Sequence, residues 1–323
     1  MCREKIEFLQ ATGILYNRDM TQSTPPPGSA DTPEARRAFT MHERLWQQNR
    51  YVYPVVSRRA KGISIGINLN PDKVCNFNCL YCCVDRKISS QSKTVELSIL
   101  RQELADMLQL ARSGDIYKFD PFDKIPNPLR RINDVAFSGD GEPTSCPNFP
   151  EACHLATELT RPSSNSSCPD PIKLVVITNA TLFQQPKVAA VLTWLNTHNP
   201  NSEIWAKLDV GSDAYYHLIN RSAVSFKRIM GNILWYSQMR PIVIQSLFMN
   251  VFGRPPGPEE IDAYITRLVN LLAAKGKIKL VQLYTVARRT NEAYVTPLSE
   301  PDLQSIAARV RAAIPTIPVE VYP

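Results

Sequence analysis

The chain has 323 residues, 44% of them hydrophobic, a formal net charge of +7 and a pI near 9.0. That is a globular composition with room for one large domain or two ordinary ones. No apolar run approaches the ~18 residues of a membrane span, and Met1 to Tyr16 is too polar for a secretory leader. These exclusions point to a cytoplasmic protein with no membrane attachment, and the basic balance favours an anionic substrate or partner.

Residues 21–37, TQSTPPPGSADTPEARR, are rich in Pro, Ser and Thr and poor in large apolar groups, so disorder is expected there. The division that follows is an N-terminal segment over 1–50, partly disordered at about 21–37, and one domain over 51–323. From Phe39–Tyr53 onward, short β-branched runs alternate with helical periods. Strands are predicted at Ile63–Asn70, Ile132–Gly139, Ile172–Asn179, Glu203–Val210, Ile242–Met249 and Lys279–Val286. Helices are predicted at 94–113, 149–161, 186–198, 213–239, 259–276 and 299–313. The fifth places Ile261, Ile265, Leu268 and Leu272 on one face. The sixth opens with a capping box, Ser299-x-x-Asp302, and a Leu298/Leu303 staple.

Six strand–helix units in strict alternation imply an α/β fold with a parallel sheet, right-handed crossovers and outer helices. Six units fall short of a complete eight-unit barrel. The expected architecture is an open, curved, partial (β/α)6 barrel, with a flat doubly wound sheet second. Either way, ligands gather at the carboxyl ends of the strands.

Directly after the first strand comes Cys75-Asn76-Phe77-Asn78-Cys79-Leu80-Tyr81-Cys82. This C-x3-C-x2-C spacing can bring three thiolates onto one iron–sulfur cube and leave the fourth iron without a protein ligand. Zinc is the alternative, but it normally takes four ligands, often as two C-x2-C pairs. The chain has no second pair, and His42, His154, His198 and His217 are far off in sequence. Cys83 is a possible fourth ligand, although neighbouring side chains of an extended stretch point apart. Cys2, Cys146, Cys153 and Cys168 are scattered and read as small buried or surface thiols. A second motif closes the second strand: Phe137-Ser138-Gly139-Asp140-Gly141-Glu142-Pro143-Thr144, glycines marking close approach to the main chain.

The cysteine loop, with Tyr81 before its last cysteine, resembles that of the radical S-adenosylmethionine superfamily, over about residues 62–313. The resemblance implies a 4Fe-4S cluster on Cys75, Cys79 and Cys82. Its open iron would chelate the amino and carboxylate groups of S-adenosylmethionine. Reduction by a donor such as flavodoxin or ferredoxin would cleave the sulfonium to methionine and a 5′-deoxyadenosyl radical. Gly139, Asp140, Gly141 and Glu142 resemble the family's Gly-Gly-Glu-Pro turn, which holds the cosubstrate's amino group; Asp140 stands where the first glycine usually does. Tyr81 would lie near the adenine. Thr178-Asn179-Ala180 resembles a Thr-Asn-Gly, with Ala180 replacing glycine. Asn179, Lys207, Asp209 and Gln245 would bind the ribose hydroxyls and the methionine carboxylate. Lys207 and Asp209 share one strand face by alternation. A radical that attacks almost any C–H bond needs a dry, enclosed site, which a capped barrel supplies.

Arg86, Lys87, Arg254, Arg288 and Arg289 all follow strand ends and are expected to form a basic rim for a phosphate-bearing or other anionic substrate. The Gly-Asp-Gly-Glu-Pro stretch is similar to that of subgroups that include the wyosine-type tRNA-modifying enzymes. RNA, an RNA base or a nucleotide is therefore the leading substrate class. No segment for auxiliary clusters, cobalamin or a separate RNA-binding domain is read along the chain. Two other classes remain: an activase that places a glycyl radical on a partner protein, and a non-catalytic iron–sulfur or zinc protein.

Overall fold

The computed structural model describes residues 46–57, 59, 62–87, 94–161 and 172–323; the expectation of disorder at 21–37 lies outside them. Two short strands, β1 (Val52–Ser57) and β2 (Gly62–Ile67), form an antiparallel hairpin. Helix α1 (Leu97–Arg112) follows, then β3 (Ile132–Phe137), α2 (Phe149–Thr160), β4 (Lys173–Thr178), α3 (Pro186–His198) and β5 (Glu203–Lys207). Next come α4 (Asp213–Ile219), α5 (Phe226–Met239), β6 (Ile242–Leu247), β7 (Met249–Val251), α6 (Pro258–Ala273) and β8 (Ile278–Tyr284). Strand β9 (Val295–Pro297), α7 (Glu300–Ala313) and β10 (Val319–Tyr322) complete the chain.

One sheet has the order β1-β2-β3-β4-β5-β6-β8-β10, and every pairing from β2 to β10 is parallel. The six predicted strands are its centre, curled into a partial barrel. Two edge strands were not anticipated. Strand β1 carries Pro54, which has no N–H and is tolerated at an edge. Strand β10 is four residues long and follows α7 as a seventh parallel strand, where the sequence suggested only a tail.

Alternation divides the sheet into two surfaces. Ile63, Ile65, Ile67, Val135, Val176 and Ile204 face outward into the main core beneath the helices. The opposite face is the barrel interior, where Ala136, Val175, Trp205 and Val243 form a smaller apolar cluster. Tyr53 of β1 lies across Gly66, where an added Cβ would come 2.3 Å from the phenol ring. Glu103 of α1 is buried and accepts the backbone N–H groups of Arg50, Tyr51 and Val52, fixing the start of β1.

The predicted helix over 213–239 is two helices. Ser225 caps the second by accepting from Arg228 N, and Arg221 between them has φ +48°. The break has a cause: the last carbonyls of α4 are taken by the cysteine loop, Asn78 N–H donating to Asn220 O (3.1 Å) and Leu80 N–H to Ile219 O (2.8 Å). The face of α6 also differs from expectation. Ile261, Tyr264, Leu268 and Leu271 are buried, with Ile265 and Leu272 at the margin. The cap of α7 is as predicted, Ser299 accepting from Asp302 N with Leu298 and Leu303 buried.

Candidate active site

The cysteine loop leaves β2 at the carboxyl end of the parallel strands and lacks regular structure. Its shape is borrowed from α4, as above, and from side chains. Asn179 Nδ2 donates to Asn76 Oδ1 (2.6 Å), Asn76 Nδ2 to Thr181 Oγ1 (2.6 Å), and Ser222 Oγ to the Asn76 carbonyl (2.9 Å). The stretch after β8 closes over the loop: Asn291 donates to the Cys82 and Val84 carbonyls.

Cys75, Cys79 and Cys82 line one cavity of about 320 Å³, and each sulfur has a nitrogen donor. Phe77 N–H approaches Cys75 Sγ at 3.5 Å, Asn220 Nδ2 approaches Cys79 Sγ at 3.7 Å, and Arg86 Nη2 approaches Cys82 Sγ at 3.5 Å. Donors aimed at sulfur suit thiolates and tune a metal centre bound to them. Cys83 lines the same cavity, and its Sγ donates to Tyr81 O (3.7 Å). Burial pushes the Cys75 thiol up to about 11 and the Cys79 thiol up to about 12. A bound cation would therefore have to displace their protons. Among the described residues, no three His, Cys, Asp or Glu side chains converge as ligands of one metal ion. Three cysteine thiols on one loop, lining one cavity, suit a thiolate-bound metal centre.

The Gly-Asp-Gly-Glu-Pro turn packs directly on this loop. A Cβ on Gly141 would sit 2.1 Å from Val74 O, and one on Gly139 would sit 2.3 Å from Asn68 Oδ1. The glycines thus admit the protein's own neighbouring chain at close range. Asp140 pairs twice with Asn68, and its carbonyl accepts from Arg86 Nη1 (2.9 Å). Glu142 points inward and accepts from Thr144 N, Thr144 Oγ1, Thr178 Oγ1 and Asn179 N, which ties the turn to the end of β4. Burial raises its pKa, against those bonds.

On β5, Lys207 Nζ lies 3.5 Å from Asp209 Oδ1, donates to Tyr284 Oη (2.6 Å), and stands 4.8 Å from the Tyr81 ring centroid. Burial works against its charge, but Asp209 and Tyr284 raise its pKa overall. Asp209 accepts from Tyr81 Oη, Asn220 Nδ2 and Leu247 N. Burial and Asp209 hold Tyr81 protonated. Gln245, level with Lys207 in the strand register, pairs with Gln282. Tyr81, Gly139, Asp140, Gly141, Glu142 and Asn179 all line the cavity, as do Lys207 and Gln245; Asp209 is just behind them.

Of the five cations expected at the rim, Arg86 and Arg288 line the cavity, while Lys87, Arg254 and Arg289 are exposed and away from its lining. Arg86 is half-buried and engaged with Lys73 O, Asp140 O and Cys82 Sγ, so it clamps the loop as well as charging the mouth. Asn76, Asn220, Tyr284 and Asn291 were missed. Each acts through a partner distant in sequence, and none carries a local motif.

No protein-family model matches the chain. It is 25% identical over 256 residues to the GTPase Obg of Brachyspira hyodysenteriae, covering 78% of this chain and 32% of that protein. It is 24% identical over 260 residues to a UPF0026 protein of Methanocaldococcus jannaschii, covering 71% and 73%. The chain thus spans about a third of the first relative's length, and it contains no Gly-x4-Gly-Lys-Ser/Thr phosphate loop. A radical SAM methyltransferase from Sphaerobacter thermophilus superposes with a TM-score of 0.56 at 14% identity, over 84% of this chain and 69% of that one. SuiB of Streptococcus suis bound to S-adenosylmethionine gives 0.54 at 12% identity, over 82% and 52%. The chain has the partial-barrel fold of the radical SAM enzymes. No helix among the described residues is long and apolar enough to cross a membrane.

Proposed function

We propose that the chain is a radical S-adenosylmethionine enzyme whose Cys75, Cys79 and Cys82 hold a 4Fe-4S cluster and whose strand ends bind S-adenosylmethionine at the iron left without a cysteine. When bound and reduced, the cluster would supply the electron that cleaves S-adenosylmethionine to a 5′-deoxyadenosyl radical, which abstracts hydrogen from substrate. The observation that carries this reading is the shared cavity: three cysteines with a nitrogen donor on each sulfur line one space with the Gly139–Glu142 turn.

The chain's own residues divide the work. Arg86 offsets negative charge beside Cys82. The Tyr81 ring, fixed by Asp209, offers an edge to the adenine. Lys207 brings an ammonium suited to a carboxylate, and Asn179 and Gln245 bring amides suited to hydroxyls. Leu247, Val84 and Ile177 supply apolar wall that excludes water. Arg288 at the mouth supports an anionic substrate, with an RNA base or nucleotide foremost.

Anaerobic reconstitution with iron and sulfide tests the reading. A brown protein that forms 5′-deoxyadenosine from S-adenosylmethionine and dithionite is expected. A colourless protein holding zinc, or a full cluster with no cleavage, would refute it.

A further inference from the structure

The cavity does not stop at the level of the cysteine loop. Its lining continues down the inner face of the barrel to Ser64, Asp134, Trp205 and Arg59. Asp134 precedes Gly139 by five residues, roughly 16 Å at ~3.3 Å per strand residue. The mouth and this floor are therefore far enough apart for two occupants.

The floor contains an unusual group. Asp134 is 1% exposed, and its carboxylate receives one hydrogen bond, from Ser64 Oγ to Oδ1 (2.5 Å). Oδ2 is buried and has no partner. A buried acceptor left unpaired costs free energy, and each such group in a native structure needs an explanation. The other carboxylate nearby has none of this character. Glu203 is bracketed by Lys173 (3.3 Å) and Lys279 (2.7 Å) and accepts from Trp205 Nε1 (2.8 Å). Arg59, in the β1–β2 turn, places its guanidinium 4.8 Å from the Tyr284 ring centroid and 6.0 Å from that of Trp205.

We propose that this floor is the substrate pocket and that Asp134 Oδ2 accepts a hydrogen bond from a neutral N–H group on a flat, nucleobase-like ring. Trp205 supplies an aromatic wall for such a ring. Arg59, with Lys173 nearby, disfavours a second cation, which excludes a guanidinium or ammonium ligand. Arg59 also offers donors to a ring carbonyl or nitrogen beside the N–H, the donor–acceptor pairing by which bases are told apart. A phosphate on the same molecule would extend towards Arg288 at the mouth. The assignment rests on the reading of the mouth as the S-adenosylmethionine end.

Equilibrium binding tests it without turnover. The cluster-reconstituted protein, saturated with S-adenosylmethionine, is titrated with the four nucleoside 5′-monophosphates, ribose 5-phosphate and agmatine, following tryptophan fluorescence. Trp205→Phe identifies the responding ring. At least one nucleotide is expected to bind saturably, and Asp134→Asn, which keeps the Ser64 bond, and Asp134→Leu should each weaken it roughly 10–100-fold. Ribose 5-phosphate and agmatine should not compete. Nucleotide binding unchanged in both variants, no nucleotide binding, or equal binding of ribose 5-phosphate would overturn the proposal. So would agmatine binding lost in the same variants, which would mark a guanidinium site. Cleavage of S-adenosylmethionine is measured in the same wild-type preparation, so failure of the enzyme reading shows separately.

Discussion

Two buried carboxylates, about one barrel height apart, are treated in opposite ways. Glu142 at the mouth accepts four hydrogen bonds from three residues. Asp134 at the floor accepts one and keeps an oxygen bare. Burial raises the pKa of both, that of Asp134 to about 6. Glu142 is thus fully engaged by the protein, whereas Asp134 is not. A carboxylate bonded to both the turn and the end of β4 holds that part of the mouth in place. A floor with an unmet acceptor is held ready for a group that arrives from outside.

The largest effect separating the two regions belongs to the cysteines. Cys79→Ala should abolish the brown colour and all formation of 5′-deoxyadenosine, whereas Cys83→Ala should retain both, as read by absorption and chromatography. Next is Glu142→Ala, which strands the donors of Thr144, Thr178 and Asn179. A loss on the order of 3 kcal/mol in denaturant unfolding is expected. A near-neutral result would mean that the mouth is less interlocked than its bonds imply.

Asp134→Asn should act the other way. The folded pKa of Asp134, about 6, lies above the unfolded value of 3.8. The folded state therefore binds the extra proton between those values, and stability falls as pH rises from about 4 to about 6. Lys173, Glu203 and Arg59 all contribute to the local field. The variant should lack that slope and be more stable at pH 7 by roughly 1–2 kcal/mol. Melting temperatures measured across pH 4–7 check this; an unchanged slope would remove the contrast. The smallest effect is at Ala180, whose φ of +60° is costly for any residue with a Cβ. Ala180→Gly should stabilise by under ~1 kcal/mol, because relief of strain is partly offset by the entropy glycine loses on folding.

Much of the barrel was legible because hydrophobic periodicity is a local signal. All six central strands and the cysteine loop lie where the letters put them. What escaped is long-range. Nothing near Glu103 announces that it will receive the N–H groups of residues about fifty positions earlier. Asn220 sits in an uninterrupted helical pattern, and only the loop docked on it ends the helix. Strand β10 is too short to register by alternation, and Pro54 hides β1. At the site, residue type located the groups, but not whether they would be occupied. Asp209 accepts from three protein donors that no local motif announces, while Asp134, read only as part of a strand, holds the bare oxygen.

The unfinished end of α4 bears on the order in which the protein is assembled. In small zinc domains, metal and fold arrive together because the chain has no other means of shaping its ligands. Here the N–H groups of Asn78 and Leu80 are held by carbonyls of a packed helix, and Cys79 is presented from between them. The hydrogen bonds that shape the loop come from the barrel's own helix, and a loop so held is expected to keep its form without metal. Slow amide exchange at Leu80 in the metal-free protein would show that form directly, and fast exchange there would mean that the metal makes it.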